Sequence, residues 1–192
     1  MKIISITNGI FLGFLLGCYS LHKNVVSQPN KVARSEEIQL SKAQIQLLKA
    51  LGLRIAVPSY VPLGFKLEKV EAELEQNIRV GGISYRIIYK KYEPDSRKTF
   101  CFAIEATNGG IGDLPMGKRS YPVHSPVLGK SSLEYGIYGN ASKTTFLGNW
   151  LGSNTGPFYR FVGAAVVSSL SRCNNISFQE AVRISESLHY LP

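Results

Sequence analysis

The stretch ISYRIIYKKYEPDSRKTFCFAIEAT, residues 83–107, contains two runs of period-two alternation separated by a polar break. In the first run Ile83, Tyr85, Ile87 and Tyr89 fall on one side, and Ser84, Arg86, Ile88 and Lys90 on the other. In the second, Phe100, Phe102, Ile104 and Ala106 lie opposite Thr99, Cys101, Ala103 and Glu105. Successive side chains of an extended chain point to opposite faces, so each run reads as a strand with one aromatic, apolar face. Glu93, Pro94, Asp95 and Ser96 between them have turn chemistry, and the two strands are expected to pair as an antiparallel hairpin. A sheet therefore stands at the centre of the fold.

Upstream, residues 65–75 also alternate but slip phase around Glu68 and Lys69, the mark of a bulge or of an edge strand that carries charge against aggregation. Gly81 and Gly82 join this segment to the next strand. Downstream, residues 121–128, 133–138, 143–151 and 158–167 are further strand candidates, with Gly, Asn and Pro in the gaps. The last is apolar on both faces and should be central. Two capping boxes, Ser41 with Gln44 and Ser177 with Glu180, open a helix at each end of this array. Leu40 and Ile45 supply a hydrophobic staple for the first, and Gly52 ends it. Ala181, Ile184, Leu188 and Leu191 recur at helical spacing and predict an amphipathic terminal helix. The expected class is α+β: an antiparallel sheet of about six to seven strands with an N-terminal and a C-terminal helix covering one face.

Ahead of this domain, residues 3–16 are mostly apolar behind Lys2 and end in Leu15, Leu16, Gly17 and Cys18. That order is the bacterial lipobox, in which the cysteine thiol takes a diacylglycerol and the chain is cut after the small residue. Several acyl chains then hold the protein on a membrane, each buried methylene contributing about 0.8 kcal/mol. An ordinary cleaved signal peptide and an uncleaved anchor remain alternatives, and all three place the rest of the chain outside the cytoplasm. The polar breaks Ser5, Thr7 and Asn8 leave open a fourth reading, a buried N-terminal helix of a cytosolic protein. The expected organisation is a lipoprotein signal peptide over 1–17, a polar, flexible tether over 18–39 and a single domain over 40–192.

With Cys18 carrying lipid, Cys101 and Cys173 form the one possible disulfide pair in an oxidising compartment, or else remain two buried thiols. A bridge would clamp the last helix onto the second face of the sheet. The chain has 192 residues, 44% hydrophobic and 18% charged, which excludes disorder throughout and excludes a multi-span membrane protein. Its formal charge of +9 favours anionic surfaces such as lipid head groups or acidic envelope polymers. Nucleic acid is not an expected partner, because the basic residues are scattered and their longest runs are pairs such as Lys90/Lys91 and Lys118/Arg119.

A search for chemistry returns little. Of the histidines His22, His124 and His189, the first lies in the tether, and neither HExxH nor CxxC occurs. The glycine-rich stretch Asn108 to Asp113 lacks phosphate-loop spacing, Gly129-Lys130-Ser131 lacks the upstream glycine, and no GxSxG elbow is found. No catalytic residue, metal or cofactor is therefore expected. The aromatic strands offer a candidate ligand face made of Tyr85 and Tyr89 with Arg86 and Lys90. Sharing an exposed face, they would suit an anionic polymer or lipid; otherwise the tyrosines are core and the cations a solvated face.

The segments PSYVPLGFKLEKVEAEL (58–74), ISYRIIYKKYE (83–93) and SFQEAVRISESLHYL (177–191) together resemble a bacterial extracytoplasmic domain of unknown function. That family follows membrane anchors, in some cases in proteins associated with anti-sigma factors. Pro58, Pro62, Gly64 and Phe65 match its proline-glycine-aromatic entry, and Ile184, Ser187 and Leu188 match its closing helix. The resemblance implies no catalytic residues. The long middle section 108–129 departs from the family pattern, and the anti-sigma role is not carried over. The expectation for the whole chain is a non-catalytic binding or assembly module, lipid-anchored in the cell envelope and facing periplasm or exterior. Its alternatives are a carrier or sensor holding a lipid or other apolar ligand in a curved sheet, and an envelope hydrolase.

Overall fold

The structure is a computed structural model, in which residues 39–75, 82–111, 114, 117–139, 141–152 and 156–192 are described. Cys18, the signal segment 1–17 and all of the tether but its last residue lie outside the described residues. Helix α1 spans Lys42–Ala50, and its capping box forms: the Ser41 Oγ accepts from the Gln44 N–H, and the Gln44 side chain accepts from the Ser41 N–H. Gly52, at φ +74°, follows the last turn in the left-handed conformation that a residue without Cβ adopts freely.

Among the described residues nine strands follow in two sheets. Seven of them, β2 (Lys66–Glu75), β3 (Gly82–Glu93), β4 (Lys98–Thr107), β5 (Arg119–Ser125), β6 (Gly129–Gly136), β7 (Thr145–Gly148) and β8 (Phe158–Val162), form one antiparallel sheet. Its order is β2-β3-β4-β8-β7-β6-β5, so the doubly apolar β8 is indeed the middle strand. The phase slip in β2 is a register shift between Leu67 and Lys69, and β2 is an edge strand as well. A second sheet pairs β1 (Ala56–Pro58) with β9 (Leu188–Tyr190).

The inner face of the large sheet carries the core. Tyr89, Phe102 and Phe161, one from each of β3, β4 and β8, stack with centroids 4.9 and 5.7 Å apart, and Phe65 leans on Phe102 at 5.3 Å. Leu48 of α1 and Ala181 and Ile184 of helix α2 (Phe178–Glu186) are buried in the same cluster, so both helices cover this one face. The α+β class and the placement of the helices stand as read from the sequence.

Three expectations need correction. The terminal helix stops at Glu186, and Leu188 and Leu191 leave it: Leu188 starts β9, and the Leu191 N–H donates to the Ile55 carbonyl. Their spacing imitated a helix, but pairing with β1 satisfies more backbone than another turn in solvent would. Secondly, the predicted strand over 158–167 ends at Val162, because residues 163–167 turn away across the outer face. Thirdly, Cys101 and Cys173 are bonded, but the bridge does not clamp the last helix. It fixes the crossing segment 163–174, whose Val166 and Leu170 pack on Ile88, Ala103, Leu147 and Val162 of the outer face. The same segment pairs with β4 by main chain: Asn174 N–H donates to Thr99 carbonyl, and Cys101 N–H to Asn174 carbonyl.

Candidate ligand cleft

The proposed ligand face of Tyr85, Tyr89, Arg86 and Lys90 does not assemble. Tyr85 and Tyr89 are buried on the inner face, and burial pushes both hydroxyls well above the ordinary tyrosine value. Arg86 and Lys90 emerge on the opposite face, as the alternation of β3 requires. There Arg86 is held by Glu105 at 2.8 Å and by Glu73 at 3.0 Å, and Lys90 meets Glu68 at 3.1 Å. Arg160 from β8 approaches the other oxygen of Glu105 at 2.5 Å and lies over the Trp150 ring, 4.1 Å from its centroid. Glu105, 6% exposed, is thus clamped between two guanidinium groups. This cluster is internally neutralised, and it leaves no cation presented to a ligand by Arg86.

A different site emerges at the other half of the sheet. Register places Arg119 opposite Tyr135 and Tyr135 opposite Phe146, so these three side chains form one row across β5, β6 and β7 on the inner face. Directly opposed side chains lie about 5 Å apart, close enough to act on one bound group. Tyr121, one pleat further along β5, stacks on Phe178 at 4.7 Å with 14° between the planes. Phe178 is the first residue of α2 and is 39% exposed. Tyr135 and Phe146 meet at 4.9 Å. The rings, with Asn175, Ile176, Ser177 and Gln179, enclose an open cleft of about 360 Å³.

The hydrogen-bond accounts separate committed groups from free ones. Asn175 is largely committed: its Oδ1 accepts from the Ala164 N–H at 3.2 Å and lies 2.7 Å from the Thr145 hydroxyl, which also reaches the Ala164 carbonyl, and its Nδ2 donates to the Thr144 carbonyl. Ser177 is spent on the capping box of α2, together with Glu180. The Tyr135 and Thr144 hydroxyls share one hydrogen bond at 2.6 Å, so the pair keeps one proton for a further acceptor. Arg119 is exposed and makes no ion pair among the described residues. None of the lining residues is acidic.

On the reverse of β6, Glu134 is buried and accepts from the hydroxyls of Ser120 at 2.6 Å and Ser132 at 2.7 Å, and from the Gly117 N–H at 3.3 Å. Burial opposes its charge, but these donors prevail and hold the carboxyl below the usual glutamate range. His124 lies on edge strand β5, and its backbone N–H donates to Glu186. Asn108, the first residue of the glycine-rich stretch, caps a strand: its Oδ1 accepts from the Ile83 N–H. Among the described residues no group of three or more His, Cys, Asp or Glu side chains is placed to hold a metal ion, and no helix is long and apolar enough to cross a membrane.

Comparison with protein-family models, with curated proteins and with solved structures finds no match. The site is therefore read from its own chemistry. In the sequence Tyr121, Tyr135 and Phe146 are only members of separate strand candidates and Arg119 only one of a basic pair, and nothing local sets Phe178 beside them. The available signal was a large aromatic directly after a helix N-cap, at a position that faces solvent unless something stacks on it.

Proposed function

We propose that this chain is an extracytoplasmic binding module, held to a membrane by lipid on Cys18, whose cleft between β5–β7 and the start of α2 receives a ligand. The observation that carries the binding reading is the row Arg119–Tyr135–Phe146 beside the exposed Phe178. Concave sites lined by rings with a few uncommitted polar groups are where proteins commonly hold small molecules. Placement outside the cytoplasm is supported by the Gly17–Cys18 pattern and by the Cys101–Cys173 disulfide, a bond that persists in oxidising compartments. The inner aromatic face gives less support to a carrier with its cargo inside the sheet, since Tyr89, Phe102 and Phe161 fill that space against one another.

The test is a titration of the full chain with a panel of neutral, anionic and cationic ring compounds, sugars included, followed by the aromatic resonances of Tyr121, Tyr135, Phe146 and Phe178. Saturable shifts confined to these rings, and lost in Phe178→Ala, are expected with at least one class. Shifts absent across the panel, or spread evenly over the surface, would remove the cleft as a ligand site.

A further inference from the structure

The free groups of the cleft also specify the charge of its ligand. Resting on the binding reading above, we infer that the cleft selects a small organic anion carrying one or two rings, its carboxylate against Arg119 and Tyr135. The row offers two donors, the Arg119 guanidinium and the proton left over by the Tyr135–Thr144 hydroxyl pair, and Arg119 and Tyr135 are cross-strand neighbours on one face. No carboxylate lines the cleft, and its one uncommitted acceptor, the amide oxygen of the exposed Gln179, comes with an NH₂ donor on the same side chain. The Asn175 oxygen is held by the Ala164 N–H beside the Thr145 hydroxyl, the Ser177 hydroxyl belongs to the helix cap, and Glu134 points to the other face of β6.

A cation would therefore meet a guanidinium with no compensating carboxylate. A neutral ring would leave both donors without the partner they are placed for. An anion satisfies both at once, and guanidinium with carboxylate is a geometry of two parallel hydrogen bonds. The remainder of the ligand meets aromatic surface: Phe146 below, and Tyr121 and Phe178 at the side, where a ring stacks or sets its edge against theirs at 4.5–7 Å. At about 360 Å³ the cleft lies at the small end of ligand sites and matches a body of one or two rings.

The experiment titrates the full chain with indole-3-acetate and 2-naphthoate, each against its carboxamide, by calorimetry and by the cleft's aromatic resonances. The carboxylate of each pair is expected to bind about tenfold tighter or better, since a hydrogen bond to a charged group contributes about 1.5–3 kcal/mol. In Arg119→Gln the carboxylate should fall to the affinity of the carboxamide, whose own binding stays the same. Arg119 is exposed, so this variant should melt with the parent protein, and an unchanged melting temperature excludes unfolding as the cause. Equal affinities within each pair, or no effect of Arg119→Gln, would overturn the assignment of an anion while leaving the cleft as a binding site. If neither member of either pair moves the four rings, the anion assignment falls, and the binding reading falls with it if the wider panel is silent too.

Discussion

The hydroxyl of Tyr159 donates to the carbonyl of Arg54 at 2.8 Å, a contact that spans 105 residues of chain. Tyr85 reaches the same carbonyl at 3.3 Å and accepts from the Ala56 N–H at 2.9 Å. Two tyrosines of the large sheet thereby anchor the approach to β1, which has little backbone pairing beyond β9. Tyr159→Phe removes one buried hydrogen bond and should cost about 1 kcal/mol in urea unfolding. Tyr85→Phe also strips the buried Ala56 N–H of its tyrosine partner and should cost about 2 kcal/mol. Burial raises both hydroxyls above the ordinary value of 10.0, so their contribution is complete below that pH. It declines as pH rises further, because the unfolded chain ionises first. The alkaline loss of stability should shrink in either variant.

The disulfide closes a loop with a sequence separation of 72, for which chain-entropy reasoning gives about 4 kcal/mol. Cys101→Ala with Cys173→Ala should lower stability by about that amount. Hydrogen exchange should speed first at Val166 to Leu170, the part of the crossing segment that packs on the outer face. Faster exchange beginning in α2 instead would mean that the bridge holds the helix after all.

Glu105 separates two arginines that keep unequal alternatives. In Glu105→Gln, Arg86 retains Glu71 and Glu73, whereas Arg160 retains the face of Trp150. A loss of about 2 kcal/mol is expected, since both guanidinium groups remain partly exposed. Adding Arg160→Met should restore part of it, and a double-mutant cycle reads the coupling directly.

Glu134 sets an acid-side prediction. Its folded carboxyl is held below the ordinary value of 4.5, so it contributes stability above that pH and loses it as pH falls through the folded value. Glu71 is displaced in the same direction: burial opposes its charge, and Lys69, Ser169 and Arg86 outweigh burial. Glu134→Gln should therefore be less stable than the parent near neutrality and lose less between pH 5 and 3. Parallel stability curves for the two proteins would rule out this role.

Local patterns carried most of the fold into the sequence. Alternation around Tyr85 and Phe102 needs only neighbouring residues, and so do the capping boxes at Ser41 and Ser177; all of these are found where they were read. What the sequence concealed depends on partners far along the chain. Leu188 pairs with Pro58, a relation that no window around either residue contains, and its helical spacing pointed elsewhere. Residues 163–167 are apolar enough to extend a strand, and the turn of the segment across the outer face becomes visible only once Cys173 is known to be bonded to Cys101 there. The candidate site was concealed for the same reason. Tyr85 and Arg86 were conspicuous in one strand but serve the core and an ion cluster, whereas Arg119, Tyr135, Phe146 and Phe178 meet through register across three strands and a helix start.

Lipid attachment outside the cytoplasm is the central claim about where the protein acts, and intact mass tests it most directly. The full chain would be expressed in a bacterial host that matures lipoproteins, extracted from membranes and weighed before and after reduction. The account predicts a chain beginning at Cys18 with added acyl groups, which on reduction gains the two hydrogens of the opened Cys101–Cys173 bond. A full-length, unacylated chain recovered in the soluble fraction, with Cys101 and Cys173 as free thiols, would contradict it.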